Sequence, residues 1–362
     1  MAPQIYGRKM KMEIFGMFML TMLVASIGGY VGKKLRIPAG VMVVSMVFVA
    51  VLNAGFGKAY FYDPLTSAIQ ILAGILVGSK LDKKAVAELK KIIVPTLVLV
   101  VCMMVLNVCA SLLIITFSPL DLTTAMFASA PGGLTDMTIM SADFGANAAY
   151  VAIIQVCRQL AIFLFMPAII KAVNKKQLEE NQLRRAESER QATEEKTMER
   201  LVIVAVIATI SSLVCMWLDI NGGAIIGSMV ASGVYCATGH SYPFPRFLRD
   251  VLQVSTGAFT GLKLTREVIR MLPVLGVPIL CVMSCIVIFA VGIGLIVQKI
   301  SGVDRATCML ASTPGGLSEM SLLSEDLGAD TVKIASMQTV RMFSVVLFFP
   351  PIISLIMKLL GL

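Results

Sequence analysis

Hydrophobic residues in this chain form long unbroken stretches, not the one-faced or alternating patterns of soluble helices and strands. The long stretches are 13–32, 92–117, 147–173, 200–218 and 272–297, and shorter ones are 38–54, 66–79, 222–238 and 247–262. A helix of about 20 apolar residues crosses a bilayer. Continuous runs favour helices over a membrane barrel, and the shorter runs fit only inside a packed bundle. The pattern predicts an all-α polytopic membrane protein.

One segment of the chain occurs twice. Residues 128–170 and 311–353 align without a gap at an offset of 183 residues, with 19 of 43 positions identical. The offset extends upstream through the pairs Gly40/Gly223, Gln70/Gln253, Gly74/Gly257, Gly78/Gly261, Lys80/Lys263 and Pro95/Pro278. We therefore predict two homologous transmembrane repeats, 13–173 and 200–362, joined by a charged helical linker over 174–199. The two G-x-x-x-G pairs predict close packing between helices.

The orientation of the repeats can be predicted from their basic loops. Lys and Arg are concentrated in 33–36, 80–91 and 171–200, and they are sparse in 55–65 and 117–121. Each repeat has five full spans and one broken segment, so the chain has about ten transmembrane helices. If the broken segment is re-entrant, these basic loops all face the cytoplasm and the second repeat is inverted. If it crosses the membrane, the repeats run parallel. The inverted arrangement is favoured, although the basic N-terminus and loop 263–270 fall on the opposite side.

The composition agrees with this fold class and restricts the classes of binding partner that we expect. The chain is 57% hydrophobic and 15% charged, with a net charge of +9. The basic excess fits loops beside an anionic lipid surface. No basic face with aromatic or groove-reading elements is present, so no nucleic-acid partner is expected. The expected partners are the lipid bilayer, a small-molecule solute, a coupling ion and a second copy in a homodimer.

Metal and redox chemistry are not expected. The eight cysteines lie mostly inside apolar runs without a CxxC, which is typical of buried hydrophobic residues. The single histidine, His240, cannot build an imidazole-rich copper or zinc site. No nucleophile–base pair is visible. We therefore expect no cofactor, no metal and no enzymatic activity.

Two Pro-Gly-Gly triplets lie inside the duplicated segment. They are Pro131, Gly132 and Gly133, and Pro314, Gly315 and Gly316. Proline removes a backbone donor and glycines weaken a helix, so each triplet should break its helix. The helix can restart at Leu134 and Leu317, with partially positive amides facing the gap. Thr135 and Ser318 are placed to cap these helices or to contact a ligand. Two half-helices, one from each repeat, would form an anion pocket near mid-membrane.

Each repeat also carries an arginine inside an apolar span, three residues after a glutamine. The pairs are Gln155 with Arg158 and Gln338 with Arg341. An intramembrane arginine is tolerated when it faces a polar interior. One interpretation is recognition of a carboxylate or other anion by the guanidinium group. The alternative is an internal ion pair, with Asp136 and Glu319 or with Asp143 and Asp326.

These four acidic residues are also candidates for ion coupling. Asp136 and Glu319 closely follow the breaks, where a buried carboxylate can carry a proton or bind sodium. Neutralising the arginines or the helix start is the alternative role. Asp143 and Asp326 lie near the segment ends and carry less weight.

These motifs resemble those of the AbrB-type membrane duplication family, which carries two APGGL-(T/S)-(D/E)-M motifs, each followed by a Q-x-x-R helix. Here the motifs are 130–137 and 313–320, and Thr313 replaces the first alanine of the second copy. The resemblance covers both repeats. It implies a membrane protein whose relatives carry the labels ammonia monooxygenase or regulator of gene expression. The enzyme label is disfavoured here because copper chemistry needs ligands that this chain lacks.

The sequence predicts a secondary transporter of a small solute, with an organic anion favoured, in the bacterial cytoplasmic (inner) membrane. The solute would lie between the two breaks, coupled to H⁺ or Na⁺, and one repeat would rock against the other. The alternative is a membrane sensor that regulates gene expression through a transporter-like pocket. Deleting most of the linker 174–199 separates the two functions, because only signalling should depend on it.

Overall fold

The computed structural model describes residues 2–35, 39–81, 92–190, 197–218, 220, 222–240, 242 and 244–360. Within them the regular structure is helical, without strands. The first half contains α1 (Ala2–Lys34), α2 (Gly40–Phe56), α3 (Asp63–Gly78), α4 (Ile93–Phe117), α5 (Leu122–Ser129), α6 (Leu134–Asp143) and α7 (Ala148–Arg190). The second contains α8 (Thr197–Trp217), α9 (Gly223–Ala237), α10 (Arg246–Gly261), α11 (Arg266–Ser301), α12 (Arg305–Ser312), α13 (Leu317–Leu327) and α14 (Thr331–Leu360). The predicted all-α membrane fold is confirmed.

Several helices have the length and composition of membrane spans. Five qualify in the described part of the chain, and α14 makes a sixth if its two arms, bent by 41°, count as one span. The five are Ile14–Lys34, Ile93–Phe117, Ala148–Asn174, Glu199–Trp217 and Arg266–Ser301. Three shorter apolar helices are Gly40–Phe56, Pro64–Gly78 and Gly223–Ala237. Counting these three short helices with the longer ones gives at most nine in the described part of the chain, so the total of about ten transmembrane helices stays a prediction.

The predicted linker 174–199 overlaps the C-terminal part of α7 and the first residues of α8. Helix α7 leaves helical geometry at Asn174, with φ −122° and ψ 23°, and then continues to Arg190. Helix α8 begins at Thr197. The helical character predicted for the linker is therefore present to Arg190, whereas residues 191–196 lie outside the described residues. Most of the predicted basic loop 80–91 also lies outside them, at 82–91.

Equivalent helices begin at equivalent positions in the two halves. Helices α3 and α10 begin at Asp63 and Arg246, and 246 − 63 is 183. The same difference separates the starts of α5 and α12, of α6 and α13, and of α7 and α14. The sequence duplication therefore has its counterpart in the order and starts of the helices.

Helix packing groups the elements by their place within each half. Helices α1–α3 and α8–α10 contact one another and form what we call the frame bundle. Helices α4–α7 and α11–α14 contact one another and form the core bundle. Each bundle thus combines helices from both halves, through contacts such as α3 with α9, α2 with α10 and α4 with α11.

The G-x-x-x-G pairs lie at close helix contacts of the frame bundle, as predicted. A Cβ added at Gly74 or Gly78 would lie 1.9 Å from the Oγ of Ser228 or Ser232, respectively. A Cβ added at Gly257 or Gly261 would lie 2.5 or 2.4 Å from the backbone oxygen of Met42 or Met46, respectively. Glycine is the residue that permits such approach. Both partners advance by four residues together, so α3 runs parallel to α9 and α10 runs parallel to α2.

The C-terminal end of α3 and the N-terminal start of α10, which are equivalent helices of the two halves, meet at Glu325 of α13. Lys80 lies just after the C-terminal end of α3, and Arg249 lies in the first turn of α10. Both side chains form ion pairs with Glu325 of α13. The end of one helix is therefore beside the start of the other, which is the relationship that an inverted repeat requires.

Candidate functional site

The two helix breaks are held by the same hydrogen bonds in both copies. Asp121 and Asp304 accept hydrogen bonds from the backbone N–H groups of Thr124 and Thr307 and so cap α5 and α12. The two threonine hydroxyl oxygens accept from the N–H groups of residues 147 and 330, each at 2.9 Å. These contacts tie the start of each broken segment to the start of the following long helix.

Gln155 and Arg158 of α7 bind the carbonyl groups at the first break. The Nε2 of Gln155 donates to Phe127 O at 2.9 Å and to Ala130 O at 3.2 Å. The guanidinium of Arg158 donates to Ala130 O and, at 3.2 Å, to Gly132 O. A broken helix leaves such carbonyls without intrahelical partners, and they carry partial negative charge at the end of α5. The Gln–Arg pair therefore stabilises the break.

Gln338 and Arg341 of α14 do the same at the second break. The Nε2 of Gln338 donates to Leu310 O, Ala311 O and Thr313 O at 3.2, 3.3 and 2.9 Å. The Nη2 of Arg341 donates to Gly315 O at 2.9 Å. Positions 313 and 315 are the repeat equivalents of 130 and 132.

The two breaks face each other across one cavity in the core bundle. Its volume is about 80 Å³. Its lining residues are Gly132, Gly133, Leu134, Gln155, Arg158, Gln159, Pro314, Gly315, Gly316, Leu317, Gln338, Arg341 and Met342. The duplicated motif therefore forms a single shared site.

Both arginines keep unsatisfied N–H groups although they are buried. Arg158 and Arg341 are each 5% exposed. The Nε of Arg158 and the Nε and Nη1 of Arg341 have no hydrogen-bond partner in the described structure. Among the described residues neither arginine forms an ion pair with a carboxylate, so the predicted alternative of internal ion pairs is not found there. Buried guanidinium donors without partners are an attractive environment for an anion.

The acidic residues after the breaks lie beside the cavity rather than in its wall. Glu319 is 8% exposed, and its Oε1 accepts from Gln159 Nε2 at 3.2 Å. Gln159 Oε1 in turn accepts from the ammonium group of Lys263 at 2.9 Å. Asp136 is partly exposed, and a Cβ added at Gly133 would lie 2.7 Å from its Oδ2. Both carboxylates lie in the first turn of a half-helix, where a negative charge is stabilised.

The other two acidic candidates lie at the far ends of the half-helices. Asp143 is exposed at the end of α6. Asp326, near the end of α13, accepts a hydrogen bond from Gln253 Nε2 at 2.5 Å. Neither residue lines the cavity.

The structure brings most, but not all, of the predicted binding residues together. Pro131, Thr135 and Ser318 do not line the cavity. Thr135 is exposed, and neither hydroxyl caps its helix, because Gly133 and Gly316 occupy the N-cap positions. Gln159 and Lys263 were not among the predicted residues. Lys263 could have been predicted, because it is identical to its repeat equivalent Lys80. Gln159 could not be found from the duplication, because its repeat equivalent is Met342.

A bundle of apolar helices around two facing helix breaks and two buried arginines defines a polytopic helical membrane protein with an internal polar site. The chain belongs to the AbrB family, described as "Transition state regulatory protein AbrB", which matches residues 56–357. It is 26% identical over 306 residues to "Uncharacterized protein YhjN" of Bacillus subtilis (strain 168), covering 81% of this chain and 78% of that protein. It is also 26% identical over 243 residues to "Putative regulator AbrB" of Escherichia coli (strain K12), covering 66% and 68%.

Proposed function

We propose that this protein is a secondary transporter of a small organic anion in the bacterial cytoplasmic membrane. The anion binds in the cavity between the two breaks, to the free N–H groups of Arg158 and Arg341. The observation that carries the proposal is the presence of two buried guanidinium groups with unsatisfied donors and no carboxylate partner among the described residues. Leaving such donors unpaired is costly, so an anionic ligand that pairs with them gains affinity.

The charges around the cavity suit a ligand of low charge. Arg158, Arg341 and Lys263 supply three positive charges, and Asp136 and Glu319 supply two negative ones when ionised. The difference, 3 − 2, is one positive charge, which a monoanion balances. If one carboxylate takes up a proton, the site instead balances a dianion. Because uptake of a proton by Asp136 or Glu319 changes the ligand charge that the site can balance, either carboxylate can couple proton movement to anion binding.

A sodium ion fits the surroundings of Glu319 less well. Sodium needs several oxygen ligands, but the nearby amide oxygen of Gln159 already accepts from the ammonium group of Lys263. A second cation there would be repelled. We therefore favour H⁺ over Na⁺ at Glu319.

The size of the cavity favours a small solute. A water molecule fills about 10–15 Å³ in the same measure, so about 80 Å³ holds only a few molecules. A carboxylate of roughly two to four carbon atoms fits this volume.

The packing suggests which parts move during transport. Each bundle contains helices of both halves, so we replace the expected rocking of one repeat against the other by movement of the core bundle against the frame bundle. The meeting of the end of α3 with the start of α10 at Glu325 supports the inverted arrangement, in which each state on one side of the membrane has a counterpart on the other.

Uptake into proteoliposomes tests the transport proposal, with radiolabelled acetate, pyruvate and succinate and an inward proton gradient. We expect uptake of at least one of them, reduced at least about tenfold in Arg158→Ala/Arg341→Ala, since a charge-assisted pair is worth about 1.5–3 kcal/mol. Arg266→Ala is the matched control, because Arg266 also binds backbone carbonyls, of Ala54 and Gly55, but lies outside the cavity wall. Undiminished uptake by the double variant would refute the site.

The second candidate function is a membrane sensor that regulates gene expression. The observation that favours it is the description of the family and of the Escherichia coli relative as regulators. In this case ligand binding in the cavity would be relayed through the linker 174–199 to a cytoplasmic partner. Deleting most of the linker should preserve uptake in a transporter and abolish the transcriptional response in a sensor.

A further inference from the structure

The two half-helices that follow the breaks differ sharply in burial although their sequences are related. Leu322 in α13 is 1% exposed, whereas its repeat equivalent Ile139 in α6 is 61% exposed. Helix α13 packs against α3 of the frame bundle, but α6 makes no comparable contact with α10, the equivalent of α3. One end of the core bundle is therefore docked on the frame and the other is not.

Charged and polar residues hold the docked end. Glu325 is 3% exposed and forms ion pairs with Lys80 and with Arg249, the latter at 3.2 Å. The neighbouring Asp326 accepts from Gln253 at 2.5 Å. The cations and the amide belong to the frame bundle, and both acids belong to the core bundle. We call Glu325, Asp326, Lys80, Arg249 and Gln253 the latch.

The undocked end retains three of the five corresponding residues, Lys263, Gln70 and Asp143, whereas Thr66 stands at the equivalent of Arg249. Gln70 and Asp143 are the repeat equivalents of Gln253 and Asp326 and are identical to them. Neither makes a side-chain hydrogen bond within the described residues, and Asp143 is exposed. The equivalent of Glu325 is Ala142, which is also exposed and cannot form an ion pair.

We propose that the latch is a gate that closes one side of the cavity, and that the protein alternates with a second state in which Gln70 bonds Asp143. This inference rests on the proposed transport function for its purpose. In the second state α6 docks on α10, α13 leaves α3, and the latch is open. Because a buried charge without a partner is costly, Glu325 must become hydrated when the latch opens. The cavity is then open to the opposite side of the membrane.

The latch also lies on a definite side of the membrane and favours one of the two states. Lys80 begins the loop 80–91, which the distribution of basic residues places in the cytoplasm, and Arg249 pairs with the same carboxylate, so the latch closes the cytoplasmic side. The state described here is then open towards the outside. Of the two ends, the latch holds an ion-paired acid, Glu325, whereas its counterpart Ala142 cannot form an ion pair, so the equilibrium without ligand favours the latched state.

Thiol cross-linking tests the latch directly. The eight native cysteines are first replaced by alanine or serine. A short bis-methanethiosulfonate reagent is then applied to two variants, Gln253→Cys/Asp326→Cys and Gln70→Cys/Asp143→Cys. We expect the first pair to cross-link in high yield and the second in low but measurable yield. Adding Glu325→Gln removes the charge from both ion pairs and should raise the ratio of second to first at least about tenfold, which is the factor expected for the loss of one charge-assisted pair alone.

Two further variants complete the test. Asp330→Asn is the matched control, because Asp330 pairs with Lys333 within the core bundle and should leave the ratio unchanged. Arg249→Gln removes only one of the two cations and should give an intermediate ratio, which keeps the test valid if Glu325→Gln does not fold. Absence of the Gln70→Cys/Asp143→Cys cross-link in every background, or an unchanged ratio, would overturn the proposal. The assay needs no transported solute, so the latch and the transport function can fail separately.

Discussion

Gln155 and Gln338, 183 positions apart, donate hydrogen bonds to the carbonyl oxygens at equivalent places of the two helix breaks, Ala130 and Thr313. The two amide groups are almost fully buried. Their carbonyl partners are the C-cap residues of α5 and α12, where the regular helical hydrogen bonds end. The glutamines are therefore needed for the breaks themselves, independently of any ligand.

Gln338→Leu should lower the free energy of unfolding by about 1–3 kcal/mol, because it removes a side-chain donor from the carbonyl oxygens of Leu310, Ala311 and Thr313, and Leu310 and Thr313 then keep only a backbone donor. The measurement is the midpoint of thermal unfolding in detergent. Thr339→Val is the control, since the Thr339 hydroxyl bonds only within its own helix, to Ala335 O. Equal midpoints for both variants would contradict the role of Gln338.

Gly74→Ala should destabilise the frame bundle by about 1–3 kcal/mol. The added Cβ would lie 1.9 Å from Ser228 Oγ and 2.5 Å from Ile225 O. The serine can rotate, but the backbone carbonyl cannot move unless the helices separate. Gly292→Ala is the control, because nothing lies within 4 Å of its Cβ position. It should be stabilising by about 0.5–1 kcal/mol through helix propensity, as read from the same thermal midpoint.

Lys263→Met should weaken binding of a small carboxylate by about tenfold. The Lys263 ammonium bonds Gln159, which bonds Glu319, so removing it leaves the Glu319 carboxylate less balanced beside the cavity. The measurement is a carboxylate titration by isothermal calorimetry. Lys33→Met removes an exposed pair with Asp250 and should leave the affinity unchanged. An equal affinity for the two variants would exclude an electrostatic role for Lys263.

Ala142→Glu should shift the protein towards the unlatched state. The new carboxylate would stand at the repeat equivalent of Glu325, within the half-helix that docks near Lys263 in that state. We expect the Gln70→Cys/Asp143→Cys cross-link to increase several-fold and the Gln253→Cys/Asp326→Cys cross-link to decrease. Ala142→Gln has similar size without the charge and should have a smaller effect. A larger effect of the glutamine would rule out ion pairing as the cause.

The sequence predicted the local features of the site well. The helix restarts predicted at Leu134 and Leu317 are the first residues of α6 and α13. A proline followed by two glycines acts on the chain next to it, so its effect can be seen without tertiary information. The Gln–Arg pairs were predictable for a similar reason, because a buried arginine inside an apolar span needs polar partners.

The remaining residues depend on the difference between the two copies. The repeat equivalent of Glu325 is Ala142, and the repeat equivalent of Gln159 is Met342. A duplication draws attention to residues that both copies share, whereas asymmetry is carried by those that differ. The sequence also could not predict which helices form each bundle, because each repeat is contiguous in sequence whereas each bundle combines helices of both repeats.

The interleaving of the two halves has a consequence for biogenesis. When the first half leaves the ribosome, the glycine face of α3 has no partner, because Ser228 and Ser232 are still to be synthesised. The early helices must wait in the membrane, exposed to quality-control proteases, until α9 arrives. If the chain is divided within the linker into two polypeptides, each should be degraded when made alone and should persist when both are made in the same cell.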